Sequence, residues 1–86
     1  MVKIGIQWNG SLGPNQTQRW STHSWPTEWH VVWTVVSITP RPGAPQIKWK
    51  VKTERSSDRY ITYWICITNI TATPVKIEGR YAVLGW

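Results

Sequence analysis

Phenylalanine is absent from this sequence, cysteine and methionine occur once each, and only four of its 86 residues are acidic. Each shortage narrows the possibilities. Without phenylalanine, the aromatic bulk of any core must come from eight tryptophans and three tyrosines, rings that can each bury about 150–250 Å². The single Cys66 cannot form an intrachain disulfide. Its neighbours Ile65 and Ile67 mark a strand interior, where a lone thiol behaves as a small buried hydrophobe. No apolar run is long enough for a membrane span or a signal-peptide core. The expected setting is therefore cytoplasmic, or secreted as a mature chain, with no signal peptide in this sequence. Two glycosylation sequons, Asn15-Gln16-Thr17 and Asn69-Ile70-Thr71, bear only on the secreted case.

Signatures of catalysis are equally scarce. There is no nucleophile elbow, phosphate loop or paired-carboxylate motif. His23 and His30 stand seven positions apart with no Cys-x-x-Cys nearby, which is poor material for a metal site. The expectation is a binding protein with no catalytic residues, no metal and no cofactor.

What the chain does contain is strand pattern. Gln46 to Lys52 alternates Ile47, Trp49 and Val51 with Gln46, Lys48, Lys50 and Lys52, the mark of a half-buried antiparallel strand whose lysines face water and discourage edge pairing. A polar stretch, Thr53 to Asp58, then turns the chain into Arg59 to Ile70, forming a hairpin. In that second strand both faces carry apolar residues, as in a central strand. Pro74 breaks the run and Val75 to Leu84 resumes it, reading as a second hairpin, with Gly79 a bulge or a close backbone contact. Trp29 to Ile38 is a further strand, ended by a stiff segment, Thr39 to Pro45, with three prolines. Strands over Val2 to Trp8 and Thr17 to Ser24 complete the count, separated by an Asn9-Gly10 turn signal. No helical window survives the prolines and β-branched residues. One domain, residues 1–86, is expected: a small antiparallel all-β fold of about six short strands, a β-sandwich in preference to a barrel.

Ten lysines and arginines against four acids give a formal charge of +6, which favours anionic partners. Tryptophan is densest between Gln18 and Trp33, where four indoles and both histidines fall within sixteen positions. Trp29, Val31, Trp33 and Val35 share one strand face and belong to the core. Trp20 and Trp25 sit among Arg, Ser, Thr and His, so they read as exposed. An exposed indole packs on the C–H face of a pyranose while polar groups fix its hydroxyls. A lectin-like carbohydrate-binding site built from Arg19, Trp20, His23, Trp25 and Glu28 is the leading expectation, with a glycan as partner. The alternative is single-stranded nucleic acid, since the same rings stack on bases; against it, the lysine row lies on a different segment from these tryptophans. A structural role as a homo-oligomer with Trp-rich interfaces is also open, the terminal Trp86 being the expected subunit contact.

Overall fold

The computed structural model describes residues 2–85 and contains six strands: β1 (Lys3–Leu12), β2 (Thr17–Pro26), β3 (Val31–Ser37), β4 (Ile47–Arg55), β5 (Tyr60–Asn69) and β6 (Val75–Val83). The expected contact through Trp86 lies outside the described residues. All pairings are antiparallel, in two three-stranded sheets of order β1-β6-β3 and β2-β5-β4. Leu12, Trp33, Val35, Val75 and Ile77 from the first sheet meet Ile65 and Ile67 from the second in one buried cluster. The all-β, sandwich-like expectation therefore holds.

Three local expectations do not. β5 and β6 form no hairpin, because β6 crosses to the centre of the opposite sheet between β1 and β3. The crossing is held by Asn69, fully buried. Its Nδ2 donates to the carbonyls of Leu12, Gly13 and Thr73 at 3.2, 3.0 and 2.8 Å. Its Oδ1 accepts from the Thr71 amide and hydroxyl at 2.9 and 2.7 Å. A buried amide so fully bonded fixes the turn after β5 against the end of β1. The second departure is Asn9-Gly10, which lies within β1. Gly10 serves close packing, since a Cβ there would stand 3.1 Å from the Trp20 ring. The actual turn follows, with Asn15 in the left-handed region at φ 59°. The third is β4, where Ile47 and Val51 are half-buried and Trp49 is exposed. β4 is an edge strand, so its inward side chains are covered from one side only.

Two β-bulges decide which side chains enter the core. On β1, Ile6 pairs with Arg80 but Trp8 pairs with the adjacent Gly79, leaving Gln7 as an extra residue. The insertion reverses the alternation. Ile4 and Ile6 consequently face solvent while Trp8 turns inward over Gly79, where a Cβ would meet its ring at 2.4 Å. On β2, Thr22 pairs with Tyr63 and Trp25 with Ile61, again with one residue in excess and with Ser24 at φ 68°. Trp25 is thereby sent to the same side as Thr22. The bulges are linked, because Thr22 Oγ1 accepts from Gln7 Nε2 at 3.2 Å and from Trp25 Nε1 at 3.0 Å.

The rings so aimed interlock around Trp33, whose centroid lies 5.7 Å from Trp8, 5.5 Å from Trp25, 5.8 Å from Tyr63 and 6.1 Å from Tyr81. Most of these contacts are edge-on or tilted, the geometry that ring quadrupoles favour, each worth about 0.5–1.5 kcal/mol beyond burial. That gain offsets two costs. The indole Nε1 atoms of Trp8 and Trp33 are buried with no hydrogen-bond partner among the described residues, at about 1–3 kcal/mol each.

Gly79→Ala should push Trp8 off its seat and lower unfolding free energy by about 1–3 kcal/mol in a urea titration. Burial pushes the Tyr63 phenol above its ordinary value of 10.0. The folded state therefore holds the proton more tightly than the unfolded chain, so the associated stability is complete below about pH 10 and is lost as pH climbs through the folded value. Alkaline unfolding curves should fall less steeply above that pH in Tyr63→Phe than in the native protein.

Candidate functional site

The five residues expected to bind a sugar do not converge. Trp20 faces inward and stacks on Trp8 at 5.7 Å and 22°, while Arg19, one residue earlier, lies on the outer face of the sheet over the Trp64 ring at 5.2 Å. Trp25 is half-buried, 5.3 Å from Tyr81 and 6.2 Å from Trp29. His23 is exposed at the β2 bulge, its Nδ1 3.0 Å from Ser24 Oγ. Glu28 is exposed in the turn beyond β2, accepting a 3.2 Å bond from the Thr27 hydroxyl. Trp20 and Trp25 are thus packed on the core and not held out in solvent as the sequence suggested. Polar neighbours in sequence misled here, because alternation and the bulge put those neighbours on other faces.

A different constellation occupies the outer face of the β2-β5-β4 sheet. Register across the three strands sets side chains in rows: Thr17, Thr68 and Lys48; then Arg19, Cys66 and Lys50; then Ser21, Trp64 and Lys52. Thr17 and Thr68 hydroxyls are bonded at 2.7 Å. Three lysines at alternate positions stand about 6.6–6.8 Å apart along β4, and Arg19 faces them across β5. Opposing charge is sparse. Among the described residues the carboxylate on this face is Glu54, which accepts the Trp64 Nε1–H at 2.7 Å and so pins the indole to the sheet. Between the strands runs an open groove of about 430 Å³ lined by Thr17, Lys48, Trp49, Lys50, Cys66 and Thr68.

This face can neutralise several negative charges and offer a flat ring beside them. Arg19 over Trp64 adds a second planar surface, since a guanidinium stacks as an aromatic does. Among the described residues no group of three or more His, Cys, Asp or Glu could hold a metal ion, and no helix is long and apolar enough to cross a membrane.

Part of the face was readable beforehand. Trp64, Cys66 and Thr68 share a side of β5, and the three lysines share a side of β4. Their coincidence follows from the hairpin register, which depends on turn length. Arg19 joins only through the pairing of β2 with β5, made across more than forty residues of chain, and nothing local signals it. No protein-family model matches the chain, and no curated protein or solved structure is significantly similar to it.

Truncation separates the two sorts of tryptophan. Trp25→Ala should cost about 3–5 kcal/mol in chemical denaturation, as for a core ring. Trp64→Ala should cost about 1 kcal/mol, as for a side chain resting on a sheet surface.

Proposed function

We propose that the outer face of the β2-β5-β4 sheet binds single-stranded nucleic acid. The observation that carries this reading is the convergence of Arg19, Lys48, Lys50 and Lys52 with the Trp64 ring on one sheet surface. Sheet surfaces that bind single strands combine a cationic track for phosphates with aromatic rings on which bases stack. Here the lysines of edge strand β4 supply the track, and the Arg19 guanidinium lying over the Trp64 ring supplies a planar stacking platform on its inner side. The hydroxyls of Thr17, Ser21 and Thr68 add neutral hydrogen-bonding groups suited to sugar oxygens.

The reading reverses the weight first given to a glycan. Recognition of a neutral sugar through Trp20 and Trp25 needs free ring faces, and both half-buried rings are engaged with other aromatics at the edge of the core. The earlier objection to nucleic acid also lapses, because the lysine row is no longer remote from a tryptophan.

Fluorescence anisotropy with a labelled pyrimidine oligonucleotide tests the proposal. With four phosphates neutralised, the logarithmic salt slope should be about −2.8, a loss of roughly 50-fold in affinity between about 50 and 200 mM salt. Trp64→Ala should weaken binding by about 1–3 kcal/mol, and Lys50→Gln should lower the magnitude of the slope by about 0.7. A sulfated glycan that binds as tightly, with no contribution from Trp64, would return the acidic-glycan reading. Absence of oligonucleotide binding at low salt would end the nucleic-acid one.

A further inference from the structure

The opposite outer surface, on the β1-β6-β3 sheet, has a different character. Register sets Ile4, Ala82 and Val32 in one cross-strand row and Ile6, Arg80 and Thr34 in the next. Ile4 is 75% exposed, Ile6 54% and Val32 46%, and Leu84 continues the surface at 56%. Ile4 and Ile6 make a ridge along edge strand β1. Beside it, over Ala82 and Arg80 and towards Thr34 on β3, runs an open trough of about 670 Å³. A patch of this kind needs an explanation, because isolated exposed apolar residues are ordinary but a contiguous row across three strands is not.

We infer that this face is a docking surface for a second copy of the chain, related by a two-fold axis that seats the Ile4 and Ile6 ridge of each copy in the trough over Ala82 of the other. Shape supports it, since ridge and trough lie side by side on the same surface, and a two-fold then fills both troughs at once. Charge supports it too. The chain carries +6, so two copies can meet face to face only where cations are few or compensated. On this face Arg80 is paired with Glu78 at 2.9 Å, and Lys76 lies towards the other end of β6, opposite Ser11 and away from the Ile4 and Ile6 rows, while Arg19, Lys48, Lys50 and Lys52 lie on the far sheet and would point away from each other in the dimer. An acidic partner or an anionic membrane would be drawn to that far sheet, not to this one.

Area sets the strength. Three strands of 10, 9 and 7 residues at about 4.8 Å spacing give roughly 400 Å² of sheet face, about half of what each partner contributes to a standard stable interface. The dimer is therefore a concentration-dependent one. This inference does not rest on the nucleic-acid reading, and either can fail alone.

Sedimentation equilibrium of the native protein between about 10 µM and 1 mM should show the weight-average mass rising from 10.0 kDa towards twice that value. Ile6→Thr removes part of the ridge and Ala82→Arg fills the trough. Each should weaken association at least about tenfold, with near-ultraviolet circular dichroism and oligonucleotide affinity unchanged. A native protein that stays monomeric at 1 mM, or a dimer that both variants leave intact, overturns the inference. So does a native monomer that partitions onto neutral phosphatidylcholine vesicles and loses this with Ile6→Thr, which would make the face a lipid contact.

Discussion

Trp33 stands between the sheets with four other aromatic rings packed edge-on or tilted around it, and the backbone is shaped to make that packing possible. Indoles are too large to alternate freely with other core residues in so small a sandwich. Room for Trp8 comes from Gly79 directly beneath it, and room for Trp20 from Gly10. Direction comes from the two bulges, each of which turns a tryptophan inward that simple alternation would have aimed elsewhere. Thr22, bonded to Gln7 on one side and Trp25 on the other, holds both irregularities in place.

The same devices divide the exterior. Turning Trp8 inward leaves Ile4 and Ile6 outside, so the apolar surface of one sheet is a by-product of filling the core. Turning Trp25 inward clears the outer side of β2, where Arg19 meets Trp64 and the β4 lysines. The two faces thus differ in kind for one reason. They lie on opposite outer surfaces, with the ring cluster between the two sheets.

Much of this was visible in the sequence. The alternation in Gln46 to Lys52, the apolar content on both sides of β5 and the close contact at Gly79 all follow from side-chain chemistry read at period two. Inward placement of Trp33 and Val35 also follows. What stayed hidden were the bulges at Gln7 and at His23-Ser24, because an inserted residue changes the phase without changing the composition. Trp20 was misjudged for a related reason. Its polar neighbours on the strand occupy the opposite face, and the ring that covers it, Trp8, comes from another strand. The functional surface was legible as two half-faces on β4 and β5 but not as a whole, since Arg19 enters through a pairing set by the entire fold.

The order of the strands carries a consequence for how the protein is made. β1 finds its neighbour only in β6, with Lys3 opposite Val83, so the first strand of this fold waits for the last. Of the five neighbouring strand pairs in sequence, only β4 and β5 are joined to each other in a sheet, and that hairpin is the one unit able to form early. Until β6 is made, β1 and β3 have no place to pair, and the isoleucines and tryptophans they carry stay open to other chains. Any insertion between β1 and β6 would lengthen the interval in which aggregation competes with closure.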